Sequence, residues 1–292
     1  MAKGRIIKAI SGFYYVQADG DMYQCKGRGV FRKKKITPLV GDVVTFDFSG
    51  DNEGYILEVH ERDNELIRPP IANIDQAIIV TSAMKPAFNA TLLDRFLVLV
   101  ESNLIKPVIF FTKLDVAEQE RDRFEKYQKD YQKIGYDVEL LSVKHSDHTS
   151  ILKRYLKDKI TVIAGQSGVG KTTLLNAIDP SLALKTGEIS DSLGRGRHTT
   201  RHVELLPMFG GLVADTPGFS SLEFQDLGAS ELADYFPEIR ERKANCKFRG
   251  CMHMKEPKCA VKQAVEDGEI TDYRYDHYVR FYEEIKSRKA RY

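Results

Sequence analysis

Gly165-Gln166-Ser167-Gly168-Val169-Gly170-Lys171-Thr172 decides the fold of this 292-residue chain. The stretch satisfies G-x-x-x-x-G-K-[ST], follows an apolar run at 160–164 and leads straight into helix-forming residues 173–178. Glycines at those places let successive backbone N–H groups wrap phosphate oxygens at a helix N-terminus, where the helix dipole favours negative charge. Lys171 then offers a cation to the β- and γ-phosphates, the Thr172 hydroxyl a ligand to Mg²⁺, and Thr173 the first turn of the helix. A glycine turn with no chemical role would not need that strand, lysine and helix together.

Working outward, Asp215-Thr216-Pro217-Gly218 closes the apolar run 211–214. An aspartate ending a parallel strand beside the phosphate-loop strand can hold Mg²⁺ through water, and the Gly218 N–H can sense the γ-phosphate. On the other side, Thr112-Lys113-Leu114-Asp115 ends the run 107–111 and looks like the guanine-reading [NT]KxD motif. The Asp115 carboxylate can accept from guanine N1–H and N2–H₂, while the Lys113 stem lies along the base. Adenine presents no such pair of donors, so the carboxylate discriminates by bonds ATP cannot make. Ser142-Val143-Lys144 resembles the loop whose backbone N–H meets guanine O6. In common GTPases the base-reading motifs follow the phosphate loop; here they precede it, as in a circular permutation of the same sheet.

Between the two phosphate motifs, Gly194-Arg195-Gly196-Arg197-His198-Thr199-Thr200-Arg201 suits a first switch, with a Thr199 or Thr200 hydroxyl or carbonyl meeting Mg²⁺ when GTP is bound. Arg195 and Arg197 suit phosphate stabilisation or RNA equally. Phe219 follows Gly218 where most small GTPases place a water-orienting glutamine, which predicts slow intrinsic turnover.

Near the C-terminus stands Cys246-x₄-Cys251-x-His253-x₅-Cys259. Three thiols and an imidazole at this spacing match a closed, structural tetrahedral Zn²⁺ site. Arg240, Arg242, Lys243, Lys247, Arg249, Lys255, Lys258 and Lys262 surround it, a composition that fits RNA or a solvated face. Cys25 is left over as an apolar filler.

The sequence has 42% hydrophobic and 29% charged residues, ordinary for a soluble globular protein and too apolar for wholesale disorder. No apolar run approaches a membrane span, no signal-peptide pattern opens the chain, and four cysteines are too few for a disulfide framework. A cytoplasmic protein with no membrane partner is expected. The formal charge is only +2, yet nine of the first 40 residues are Lys or Arg against Asp19 and Asp21, and residues 41–66 reverse the sign. One strongly basic face can hide in that near-neutral total.

Residues 1–68 read as about five short strands with turn punctuation, an OB-type β-barrel or equally an SH3-like one. Pro69-Pro70 marks a boundary. Residues 70–225 alternate buried apolar runs with helices, an α/β unit with a parallel sheet, here a circularly permuted P-loop GTPase domain. Residues 226–292 form a helical zinc-binding domain whose last helix stripes Tyr278, Phe281, Tyr282 and Ile285 on one side.

Barrel, permuted GTPase and Cys-x₄-Cys-x-His-x₅-Cys module, in that order, resemble the RsgA family over essentially the whole chain. The resemblance implies binding to the 30S ribosomal subunit, GTP hydrolysis to GDP and phosphate stimulated by it, and a role late in small-subunit maturation. It places barrel and zinc domain on 16S rRNA, and gives His198 the part of water-positioning catalytic residue; a neutral imidazole can take the water's proton near pH 7. One departure is Thr112 where many members carry Asn, which predicts a weakened loop-bracing or base N7 contact without loss of guanine choice. Two other functions fit parts of the chain: a P-loop ATPase or small-molecule kinase, which Asp115 argues against, and a nucleotide-regulated RNA-binding scaffold with incidental hydrolysis. A monomer without DNA partners is the expected state.

Overall fold

The computed structural model describes residues 1–29, 31, 35–48, 53–67, 69–115, 117–141, 148–178, 203–215, 222–224 and 227–288. The first five strands are β1 (Ala2–Ile10), β2 (Phe13–Ala18), β3 (Asp21–Gly27), β4 (Val43–Phe48) and β5 (Glu53–Val59). β1, β2 and β3 form an antiparallel meander, β3 runs parallel to β5, and β4 returns antiparallel to both β5 and β1. That parallel pair and the closure of β4 on β1 make an OB-like barrel and exclude the SH3-like alternative. Its interior is the alternate set Ile6, Val16, Cys25, Val44, Phe46 and Ile56, each fully buried. Burial pushes the Cys25 thiol up to about 11, consistent with a packing role.

A short hairpin, β6 (Glu65–Leu66) with β7 (Ile71–Ala72), brackets Pro69-Pro70. Gly41 packs here at φ +93°, and a Cβ at that position would sit 2.0 Å from the Ala72 carbonyl oxygen, so only glycine fits.

The α/β part contains β8 (Gln76–Ser82), helix α1 (Ala90–Glu101), β9 (Lys106–Thr112), α2 (Arg121–Ile134), β10 (Asp137–Leu140), α3 (His148–Leu156), β11 (Ile160–Ala164), α4 (Lys171–Ile178), β12 (Val203–Met208) and β13 (Gly211–Asp215). β8, β9, β10, β11 and β13 are parallel in the order β10-β9-β8-β11-β13. Alternate side chains explain why their sequences are apolar throughout. Ala77, Ile79, Ile109 and Phe111 pack with Phe96 of α1 and Phe124 of α2, whereas Ile78, Val80, Val108 and Phe110 pack on the opposite face with Leu152 and Leu156 of α3. The sheet is mixed, however: β12 is antiparallel to β13 and then pairs with β1, so barrel and α/β unit share one eleven-stranded sheet. Sequence reasoning contained neither β12 nor that join, because no side-chain pattern marks which strand a backbone edge will meet.

The last unit holds α5 (Pro237–Arg240), α6 (Ala260–Glu266) and α7 (Asp272–Ser287) around a separate core of Phe224, Phe236, Val261, Tyr278 and Phe281. It packs on α1 through one stripe, Thr91, Asp94, Arg95 and Val98, spaced for a single helix face. Among the described residues, no helix is long and apolar enough to cross a membrane.

Candidate functional site

The parallel strands end together. Register pairs Ser82 with Thr112 and Leu140 with Phe111, and Ala164 and Asp215 close the neighbouring strands β11 and β13. Loops leaving this carboxyl edge are where an open α/β sheet binds ligands. The phosphate loop follows β11 at once, with Gly165, Gly168 and Gly170 all at positive φ. At Gly165 a Cβ would lie 2.2 Å from the Val80 carbonyl oxygen, so the loop crosses the sheet edge only as glycine. Val169 is buried beneath it, and the Leu174 N–H donating to the Gly170 carbonyl at 2.9 Å opens α4. Thr172 and Thr173 occupy its first turn.

Lys171 folds back over the loop. Its Nζ donates to the carbonyls of Gly165 and Gln166, each at 2.9 Å, and burial lowers its pKa from the ordinary lysine value. A desolvated cation that meets, among the described residues, neutral carbonyls is the environment that an incoming phosphate would compensate.

The guanine-reading loop is braced to the phosphate loop. The Thr112 hydroxyl donates to the Val169 carbonyl at 2.6 Å, and Lys113 Nζ donates to the Gly168 carbonyl at 2.7 Å and to that of Lys85. The brace expected to weaken without an asparagine amide is thus supplied by the hydroxyl. The Lys85 carbonyl, which sequence reasoning missed because a backbone acceptor leaves no residue signature, fixes Lys113 from the other side. Asp115 brings a buried Oδ1 with no hydrogen-bond partner among the described residues. A buried acceptor rarely stays unpaired, and two adjacent N–H donors of guanine are the complementary chemistry.

Asp215 ends β13, paired through its backbone with Glu204. Ser142, Val143, Lys144, Arg195, Arg197, His198, Thr199, Thr200, Gly218 and Phe219 lie outside the described residues.

Far along the chain, Cys246, Cys251, His253 and Cys259 bring all four ligand atoms within 4.8 Å of one another. The Cys246 and Cys259 sulfurs are 3.9 Å apart, and His253 Nδ1 lies 3.5 Å from the first and 3.4 Å from the second. The edges of a tetrahedron with Zn–S of about 2.3 Å and Zn–N of about 2.0 Å are about 3.5–3.8 Å, so the donor set fits Zn²⁺. Burial pushes the Cys251 thiol up to about 12 and raises Cys259, while it lowers His253 and so disfavours the charged imidazole. Without a cation the pocket holds protons that a metal would displace. Backbone carbonyls of the ligand loop are pinned by α7: Tyr275 Oη donates to His253 at 2.6 Å and Tyr278 Oη to Met252 at 2.9 Å.

The junction between this module and α1 was absent from the sequence reading. Arg274 is fully buried; its Nη1 donates to Asp94, and Nε and Nη2 donate to Glu238. Tyr131 donates to the same Asp94, and His277 bridges Asp94 and Thr91. A signal was available: Asp94-Arg95 interrupts an otherwise apolar helix.

Comparison with known proteins points one way. Two family models match, RsgA GTPase over residues 59–225 and RsgA N-terminal domain over residues 3–56. The chain is 61% identical to the small ribosomal subunit biogenesis GTPase RsgA of Bacillus subtilis strain 168 and 60% identical to that of Geobacillus kaustophilus HTA426, with all of both chains covered in each case. Among solved structures it resembles YloQ, a circularly permuted GTPase, at TM-score 0.87 and 56% identity over 100% of this chain and 97% of that one. YjeQ from Thermotoga maritima gives TM-score 0.87 and 36% identity over 99% of each chain.

Proposed function

The chain belongs to the RsgA GTPase family, and from that premise we propose that it couples GTP hydrolysis to maturation of the small ribosomal subunit by resting on 16S rRNA. It is a GTP hydrolase. The observation that carries the guanine choice is the unpaired, buried Oδ1 of Asp115 on a loop braced by Thr112 and Lys113.

In this reading three units divide the work: residues 1–68 as barrel, 70–225 as GTPase and 226–292 as zinc domain. The 165–172 backbone and Lys171 hold the phosphates, and Thr172 and Asp215 hold Mg²⁺, joined by Thr199 or Thr200 with GTP bound. The metal, when bound, neutralises charge on the β- and γ-phosphate oxygens. Ser142, Val143 and Lys144 complete the guanine pocket and Gly218 reads the γ-phosphate. Phe219 offers the attacking water nothing, so His198 orients it, accepting its proton through a neutral imidazole once the partner orders that loop. The rRNA face of the zinc domain narrows to Lys247, Arg249, Lys255, Lys258 and Lys262 with the exposed Phe248, because Arg240, Arg242 and Lys243 are already paired with acids. Basic side chains around an exposed ring suit backbone phosphates and an unpaired base. The working state is a cytoplasmic monomer that uses neither DNA nor membrane.

The test is phosphate release from GTP and ATP, each alone, with purified 30S subunits and with 50S subunits. GTP-specific turnover that rises at least tenfold with 30S alone, and falls back in His198→Ala with nucleotide affinity unchanged, is expected. Turnover indifferent to 30S would leave a nucleotide-regulated RNA-binding scaffold instead.

A further inference from the structure

Chain leaving the Asp215–Gly218 motif rejoins the described residues at 222–224, and there it meets Arg95 of α1. Arg95 Nη1 donates to the Leu222 carbonyl at 3.2 Å and to Glu284 Oε1 of α7 at 2.8 Å, and Nη2 donates to the other Glu284 oxygen. The guanidinium packs against a pair of edge-on rings whose centroids are 5.2 Å apart, 4.6 Å from that of Phe224 and 4.8 Å from that of Phe281. From the α7 end, Arg288 donates to the Phe224 carbonyl. One planar cation therefore joins three segments: the helix beside the guanine-reading loop, the outlet of the γ-phosphate motif, and the long helix that pins the metal loop.

One residue earlier, Asp94 makes the contrast. Its ion pair with Arg274 is sealed from solvent, whereas the Arg95 and Glu284 side chains keep 17% and 39% of their surface exposed. Water can replace the contacts of the second pair but not of the first. The guanidinium fork is rigid, so a shift of Leu222 beyond hydrogen-bond range forces Arg95 to give up one partner or to draw α7 along. The Asp94–Arg274 pair then acts as a pivot and the Arg95–Glu284 pair as a latch.

We propose that Arg95 is a positioning residue that ties the outlet of the γ-phosphate motif to the metal module, so that the bound nucleotide sets how that module is held. The inference rests on the reading of Gly218 as the γ-phosphate sensor. Among the described residues Arg95 is hydrogen-bonded to Leu222 and Glu284 and to none of the nucleotide-site side chains, and the Glu284 carboxyl is held below the ordinary glutamate range by the hydrogen bonds from Arg95.

The experiment is hydrogen–deuterium exchange on the full-length, zinc-loaded protein with GDP and with the non-hydrolysable analogue GMPPNP. Amides of residues 272–288 are expected to exchange at least threefold differently with the two nucleotides. Arg95→Met should shrink that difference at least threefold, with both nucleotide affinities within twofold of wild type and protection of 165–178 retained. A purely structural arginine would raise exchange equally with either nucleotide, and that result overturns the proposal. So does a wild-type protein whose 165–178 segment is protected by both nucleotides while 272–288 does not distinguish them. Absence of protection at 165–178 would instead bring down the nucleotide reading beneath it. Glu284→Gln, which keeps shape and removes charge, decides the matter should Arg95→Met not fold: loss of the difference supports the latch, full retention overturns it.

Discussion

The seam between barrel and central sheet joins backbone pairing to a shared apolar core, whereas the seam between that sheet and the metal module turns on buried ionic side chains. At the first, Lys8 pairs with Glu204 and Ala9 with Val203, with one half-exposed ion pair alongside at 2.8 Å. At the second, two carboxylates, a guanidinium and a phenol meet in a space closed to water, with the imidazole of His277 at its rim. A backbone seam spreads its stability over groups every residue possesses, so it tolerates substitution. A buried ionic seam concentrates stability in a few atoms that must all be present, because each charge left without its partner keeps its full desolvation penalty.

The largest expected effect breaks the second seam. Arg274→Met strands the Asp94 and Glu238 carboxylates, and unfolding by urea should show a loss of about 3–5 kcal/mol. A loss below about 1 kcal/mol would erase the distinction between the seams. A smaller effect separates pivot from latch through pH. The Glu284 carboxyl is depressed in the folded protein, chiefly by hydrogen bonds from Arg95, so its contribution is complete above the ordinary glutamate range and disappears as pH falls through the lowered value. Wild type should therefore exceed Arg95→Met in melting temperature at pH 7, and the gap should narrow towards pH 4; a constant gap would mean that packing on Phe224 and Phe281 dominates. The smallest effect belongs to the first seam, where Lys8→Met removes a solvent-accessible pair and should change stability by less than about 1 kcal/mol. A cost several times larger in the same urea titration would show that the backbone seam leans on its ion pair after all.

How much of this was legible follows the same division. The phosphate loop, the guanine loop and the Cys-x₄-Cys-x-His-x₅-Cys cluster are readable because their chemistry demands particular side chains at particular spacings, and these groups sit on strand ends and turns as the spacing required. The five barrel strands were legible as strands, but their closure was not, since alternation says which face is buried and nothing about the neighbour. β12 escaped notice because Pro207 near its end reads against a strand, and its join to β1 because a backbone edge carries no residue code. At Thr112 the residue type alone does not reveal the brace its hydroxyl makes to the Val169 carbonyl. Asp94 was readable in principle, a carboxylate facing inward on an apolar helix, but its partner stands 180 residues away at Arg274.

The eleven-stranded sheet has a consequence for solubility. Open β-edges template pairing with other chains, and proteins manage them by covering or charging them. Here β4 closes on β1, and β1 also shields the start of β12, which leaves β10 as the terminal strand of the series among those described. β10 is only four residues long and carries Asp137 and Glu139, each engaged by a cation, Lys106 and Arg154. A chain shortened to begin after the barrel would uncover the edge of β12, whose Val203 and Leu205 are buried in the intact protein. Such a shortened chain is expected to self-associate where the full-length protein does not, which size-exclusion chromatography would read.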